Sequence, residues 1–436
     1  MRAPADLERV SVRAYQVGFG DCLLVSFLYK RALPDGRTER HVMFDFGSTR
    51  WPTHGRTRYR DIARSIAKRT GGQLDVLVIT HRHKDHLDGF ADDKAASTLE
   101  GLKPELVLRS WTEVPDGATE HSAARGERSR RFAASLTSAQ DFALAVSRSI
   151  PAGERRRAIR QLSALAADQL PNEQAIHRID EIAKAARLPA RYLHAGQPSG
   201  IEPLIPGIRV RVLGPPTLEQ WPQVASQRKD DPEYWVNLRR LLSQSPASSA
   251  TADAASGATS ELPVTPDPGP VRWLVERMRE QQAHSLLRII RTLDDALNNT
   301  SLILLIEAGD RRLLFPGDAQ IENWSYSLTS PRHAAARRAE LRDVDLYKVG
   351  HHGSRNATPR SLLELWEERP RDVVSLLSTL PGVHGRTEAT AVPRAALVDA
   401  LTRVGPVYRT DTLLSDRQFL EVSASAYGVD TFAPND

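Results

Sequence analysis

The densest chemistry in this chain lies in Thr80-His81-Arg82-His83-Lys84-Asp85-His86, where three imidazoles and a carboxylate directly follow the apolar run Leu74-Asp75-Val76-Leu77-Val78-Ile79. Neutral imidazole nitrogens and carboxylate oxygens are the donors of zinc and similar divalent ions, and a catalytic site leaves part of each ion's sphere open to water. The β-branched run predicts a buried strand, so the cluster falls at a strand's carboxyl end, where α/β sheets place ligand sites. From an extended segment His81 and His83 point the same way, while Asp85 and His86 turn with the loop toward a second ion. The spacing therefore predicts two metals. A solvated loop with incidental histidines is the bland alternative, and it fits a lone histidine better than this cluster.

A second set lies far downstream. Arg312-Leu313-Leu314-Phe315 ends at Pro316-Gly317-Asp318-Ala319, and an aspartate after a glycine at a buried strand end has a carboxylate free to bridge two cations; capping a helix from Gln320 is the alternative. Leu346-Tyr347-Lys348-Val349 then ends in Gly350-His351-His352-Gly353-Ser354. That pair supplies one ligand and one neighbour able to hydrogen-bond a substrate oxygen or a leaving group. Asp45, in Phe44-Asp45-Phe46-Gly47, either orients a ligating histidine from behind or caps a turn.

The elements that must carry these groups read as a layered α/β domain. The stretch 10–27 predicts two strands around the turn Gly18-Phe19-Gly20-Asp21, 41–47 another strand, 59–70 a helix stopped by Gly71-Gly72, and 106–111 a further strand. From 113 to 200 the texture changes to Ala, Arg, Gln and Glu with apolar residues at helical intervals, as in 132–150 and 156–170, which predicts a helical insertion. Its arginines, among them Arg128, Arg130, Arg131 and Arg155 to Arg157, suit phosphates or simply a solvated face. A strand at 209–213 and a helix at 234–242 make up 201–242; the Ser/Ala/Pro-rich 243–270 predicts a flexible excursion, and 271–297 an amphipathic helix before the hairpin about Gly309-Asp310.

These motifs, in this order, resemble ComEC-like hydrolases of the metallo-β-lactamase fold, relatives of the hydrolase domain of competence DNA-uptake proteins. The likeness rests on Gly18-Phe19-Gly20-Asp21, Phe44 to Gly47, Thr80 to His86, Asn299 with Ser301-Leu302, Phe315 to Ala319, Leu346 to Ser354 and, near the end, Pro406-Val407-Tyr408-Arg409-Thr410-Asp411. It implies a four-layer αββα fold, with 1–112 as its first half and 271–436 as its second. It also implies His81, His83, Asp85, His86, Asp318 and His352 as ligands of two divalent ions, Zn²⁺ or Mn²⁺. Asp85, His351 and Lys348 would serve catalysis, with Lys348 or His351 neutralising charge on substrate oxygens. His384 is similar to a histidine after the family's penultimate strand, and an exposed loop residue is the alternative.

The chain departs from the family in two ways. Fuller members carry a further histidine between the first cluster and the bridging aspartate, whereas His121, His177 and His194 here lie in poorly matching surroundings, so the first metal position is expected either to use fewer protein ligands or to be weakly filled. The membrane channel of competence proteins has no counterpart.

The implied activity is that of a phosphodiesterase or nuclease using a metal-activated hydroxide. Hydrolysis of a small ester, lactone or phosphocholine-type substrate and a non-catalytic metal-binding regulatory module remain as alternatives, the latter with the insertion as a protein-partner surface. The 436 residues suffice for a large core, and a net charge of +5 permits a nucleic acid or other phosphodiester without demanding one. With Cys22 the only cysteine, an intrachain disulfide and a Cys-rich zinc site are excluded. The amino terminus has no secretion-type apolar stretch and no run approaches membrane-spanning length, so a cytoplasmic, membrane-free protein is expected.

Overall fold

Alternating apolar residues pair the first strands in register. β1 (Leu7–Tyr15) and β2 (Leu23–Tyr29) run antiparallel with Val12 opposite Val25, and β3 (Glu39–Phe44) adds antiparallel to β2. The computed structural model describes residues 6–53, 57–115, 126–149, 173–225, 233, 295–385, 390–414, 417–428 and 430–434. After β3 comes α1 (Tyr59–Arg69), which buries Tyr59, Ile62, Ala63 and Ile66 on one face. β4 (Val76–Val78) pairs parallel with β3; α2 (Lys84–Leu87), α3 (Asp93–Gly101) and β5 (Leu106–Ser110) follow. Helices α4 (Glu127–Ser149) and α5 (Glu173–Ala185) precede β6 (Arg191–Leu193).

A second sheet begins at β7 (Ile208–Gly214) and continues through the hairpin β8 (Ile303–Ala308) and β9 (Arg311–Phe315). The chain then forms α6 (Ile321–Thr329), α7 (Ala334–Arg342), β10 (Leu346–Lys348), α8 (Arg360–Glu367), β11 (Val374–Leu377), α9 (Ala395–Val404) and β12 (Val407–Arg409). β13 (Phe419–Ser425) and β14 (Ala433–Pro434) complete it. The first sheet has the order β14-β13-β1-β2-β3-β4-β5-β6 and the second β12-β11-β10-β9-β8-β7. Both are mixed, so the protein is α/β.

One apolar cluster, including Val12, Val25, Val76, Leu108, Leu304, Leu346 and Leu376, draws on both sheets. Phe44 stacks on Phe315 within it, ring centroids 4.5 Å apart. The other face of the first sheet, through Leu24, Met43, Leu77 and Val107, packs on α1, α3 and α5. The other face of the second, through Leu305, Leu314 and Tyr347, packs on Trp324, Leu363, Trp366 and Leu401 of α6, α8 and α9. Burial on both faces explains why β4 and the start of β8, Ile303 to Ile306, read as continuous apolar runs.

The expected strands and the α1 helix are present. Within the segment read as a helical insertion, α4 and α5 are helical, but β6 joins the first sheet parallel to β5; three residues are too short to show a period. β13 returns to the first sheet against β1, Val422 opposite Val12, and its mixed composition hid that edge. The helices read at 156–170 and 234–242, the excursion 243–270 and all but the end of 271–297 lie outside the described residues. Among the described residues no helix is long and apolar enough to cross a membrane.

At the foot of β3, Asp75 accepts from Arg37 Nη1 and Nη2 (2.7 and 2.9 Å) and from the His41 N–H (2.7 Å). Burial, reinforced by Arg69, Arg37, Arg13 and Arg40, pushes His41 down to about 3. Glu39 stands 3.6 Å from its Nε2 but is already neutralised by Arg69, so burial decides. A neutral His41 stabilises the fold fully above the ordinary value of 6.5, and that stability is lost as pH falls toward about 3. Between pH 7 and 5, urea unfolding of the wild type is predicted to lose about 2 kcal/mol more than that of His41→Gln; equal losses would contradict this.

Candidate metal centre

The candidate groups come together because their loops leave neighbouring strand ends: Asp45 after β3, Thr80 to His86 after β4, Asp318 after β9, and His351 with His352 after β10. Asp45 organises the first of these contacts. Its Oδ1 accepts the Thr80 N–H at 2.8 Å, and its Oδ2 accepts the Thr80 hydroxyl at 2.7 Å and lies 2.8 Å from His86 Nδ1. The imidazole is thereby turned so that Nε2 faces Asp318 Oδ2 at 3.2 Å. Asp45 holds a left-handed backbone, φ +52°, as do His351 at +43° and His352 at +53°. Such conformations cost on the order of 1 kcal/mol or more each and concentrate at functional sites.

Glycines let the backbones approach. A Cβ on Gly47 would stand 2.4 Å from the Asp85 carbonyl carbon and 2.5 Å from the His86 nitrogen. Asp21 N–H donates to the Asp85 carbonyl (2.9 Å) and Phe46 N–H to that of His86 (2.8 Å). The turn at Gly20-Asp21 and the turn after β3 thus clamp the Asp85-His86 backbone.

Asp85, His86, Asp318 and His352 offer ligand atoms that all lie within 4.8 Å of one another. His352 Nδ1 donates to the Ser378 carbonyl at 2.9 Å, which directs Nε2 to Asp85 Oδ2 (3.0 Å) and Asp318 Oδ2 (3.6 Å). Burial alone would raise Asp85 and Asp318; His86 and His352 hold both carboxyls below the usual range. Burial likewise disfavours charge on the two imidazoles, but Asp318 with Asp45 and Asp85 raises His86, and Asp318 with Asp85 raises His352. Such an environment favours positive charge at its centre.

The donors fit a divalent cation. Two imidazoles and two carboxylates suit Zn²⁺ or Mn²⁺. His86 Nε2 is buried and makes no hydrogen bond of good geometry among the described residues, despite its nearness to Asp318. The cluster could therefore hold a metal ion.

His81 and His83 lie beside this group rather than in it. His81 Nε2 is 2.9 Å from His83 Nδ1, and the His81 ring centroid is 4.1 Å from that of His86. Burial keeps both below the ordinary value, in the neutral form that binds metals. His351 gives its backbone N–H to Asp318 Oδ1 (3.1 Å), while its partly buried ring pairs through Nδ1 with Ser354 Oγ (2.8 Å). Lys348 is fully buried, pairs with Asp21 and stands 3.9 Å from Asp318 Oδ1. Of the other histidines weighed, His384 packs on Phe19 (4.5 Å between centroids), which also touches His352 (4.3 Å). His177 is exposed on α5, His194 Nδ1 faces the Ala195 carbonyl (3.0 Å), and His121 lies outside the described residues.

Two features escaped sequence reasoning. Asp21 forms a second possible cation cluster with Asp45 and His86; its position after Gly20 in a tight turn was the available signal. Glu113, read as the start of the insertion, is buried, accepts from Arg109 Nε (2.7 Å) and lies 3.5 Å from Arg82 Nε, between the two ligand-type histidines. Arg109 also pairs with Asp180 of α5, so that Glu113 and Arg109 together tie that helix to the loop from Thr80 to His86.

No protein-family model matches the sequence, and no curated protein matches it.

Gly47→Ala would push the Asp85-His86 backbone out of place. Its Zn²⁺ affinity, measured by chelator competition, is predicted to fall at least roughly tenfold. Gly36→Ala, where a Cβ would meet nothing within 4 Å, should leave affinity unchanged; wild-type affinity in the Gly47 variant would contradict the account.

Proposed function

We propose that the chain is a metal-dependent hydrolase of the four-layer αββα metallo-β-lactamase fold, ComEC-like in its motifs, that cleaves phosphodiesters, nucleic acid included, with two divalent ions. The convergence of Asp85, His86, Asp318 and His352 within 4.8 Å carries this reading. These four would hold one ion, Zn²⁺ or Mn²⁺, while His81 and His83, with Asp318 as a shared carboxylate, would hold the other. Such a cation pair supplies a water of lowered pKa and positive charge beside the oxygens of the scissile group.

The remaining steps belong to the chain's own residues. Asp45 fixes the ring of His86, and Lys348 offsets the negative charge of Asp21 and Asp318 from behind the site. Ser354 Oγ–H donates a hydrogen bond to Asn356 Oδ1 at 3.1 Å, so His351 Nδ1–H donates to Ser354 Oγ and Nε2 keeps its lone pair. Burial pushes His351 down to about 4. At neutral pH it is an uncharged acceptor at the rim, able to orient a water or take a proton at Nε2. The mildly basic chain, at +5, suits an anionic substrate.

The test is turnover of bis-p-nitrophenyl phosphate, single- and double-stranded DNA and RNA with Mn²⁺ or Zn²⁺. Cleavage of at least one is expected, lost with chelator, restored by metal and reduced at least roughly a hundredfold in Asp85→Asn and His352→Ala. Failure with every phosphodiester alongside cleavage of a lactone or thioester would overturn the substrate assignment. Turnover untouched by chelator would overturn the mechanism.

A further inference from the structure

Neither His177, exposed on α5, nor His194, whose Nδ1 faces the Ala195 carbonyl, joins the histidine pair beside the cluster. The turn before β8 brings a different donor to it. Leu302 N–H donates to the Thr80 carbonyl at 3.0 Å, laying residues 298–302 along the start of the metal loop. Two asparagines occupy this turn, and their environments differ. Asn299 Nδ2 donates to Glu322 Oε2 at 3.2 Å, which engages it with α6. Asn298 is 0% exposed, and neither its amide oxygen nor its nitrogen makes a hydrogen bond of good geometry among the described residues. Its amide stands within reach of the His83 ring.

A buried amide left without well-formed hydrogen bonds costs about 1–3 kcal/mol for each unsatisfied group, and one set against a ligand-type imidazole calls for an explanation. We propose that Asn298 gives its amide oxygen as a further protein ligand, beside the shared Asp318, of the ion held by His81 and His83. The inference rests on the metal-centre reading above and deepens it. An amide oxygen is neutral and harder than an imidazole nitrogen, so this position binds its ion more weakly than the one with Asp85, His86 and His352. Its preference also moves toward Mn²⁺ relative to an all-imidazole site. The two positions therefore fill in order, the Asp85 side first.

The test counts ions rather than turnover. Full-length wild type and the variants Asn298→Ala, Asn298→Asp and Asn299→Ala are dialysed against graded free Zn²⁺ and Mn²⁺, and bound metal is measured by mass spectrometry. Wild type should bind two ions with unequal dissociation constants. Asn298→Ala should weaken only the weaker one, by at least roughly tenfold. Asn298→Asp, of the same shape but charged, should tighten it roughly tenfold; Asn299→Ala should change neither. If the alanine variant does not fold, the near-isosteric aspartate decides. An unchanged weaker constant in Asn298→Asp, or a wild type that binds a single ion, overturns the role of Asn298 and leaves a metal-dependent enzyme in place. A wild type that binds none overturns both.

Discussion

Four carboxylates, those of Asp21, Asp45, Asp85 and Asp318, are drawn into one buried region, and the structure depends on how their mutual repulsion is offset. Burial by itself pushes Asp45, Asp85 and Asp318 toward their neutral forms. Lys348 answers Asp21 directly, while His86 and His352 answer Asp85 and Asp318. Asp45 is the hinge of the arrangement: it takes two hydrogen bonds from Thr80 and a third contact from His86, and so fixes the direction in which His86 presents Nε2. A cation among these groups adds the positive charge they favour.

The fold makes that concentration possible by keeping the polar groups at the ends of apolar strands. β3, β4, β9 and β10 are buried, and the Phe44–Phe315 stack joins the sheets near the ends of β3 and β9. The site's loops therefore start from a rigid base, as preorganised ligand sets require. Close glycine contacts then bring the loops together, and the left-handed backbones at Asp45, His351 and His352 aim the side chains.

Much of this is visible in local sequence. The strand before Thr80, the carboxylate after Gly317 and the paired histidines after Val349 are each read from a few consecutive residues, because buried strands and the turns that end them have local signatures. Other parts are not. Whether Asp45 caps a turn or reaches a histidine depends on His86, 41 positions away. Which of His351 and His352 faces the cluster depends on two successive positive φ values that no histidine announces. The Asp21–Lys348 pair spans 327 positions, and Glu113 looks like the first residue of a helical segment until Arg109 and Arg82 are seen around it. Asn299, the residue that resembles the family motif, turns to Glu322, while its neighbour Asn298 faces His83.

The central claim is that these loops enclose a cation. A crystal of the wild-type protein grown with Zn²⁺ and measured across the zinc absorption edge tests it most directly. The account predicts anomalous density among Asp85, His86, Asp318 and His352, about 2.0–2.2 Å from their nitrogen and oxygen atoms. A well-ordered site with no anomalous peak there, at saturating zinc, would contradict it.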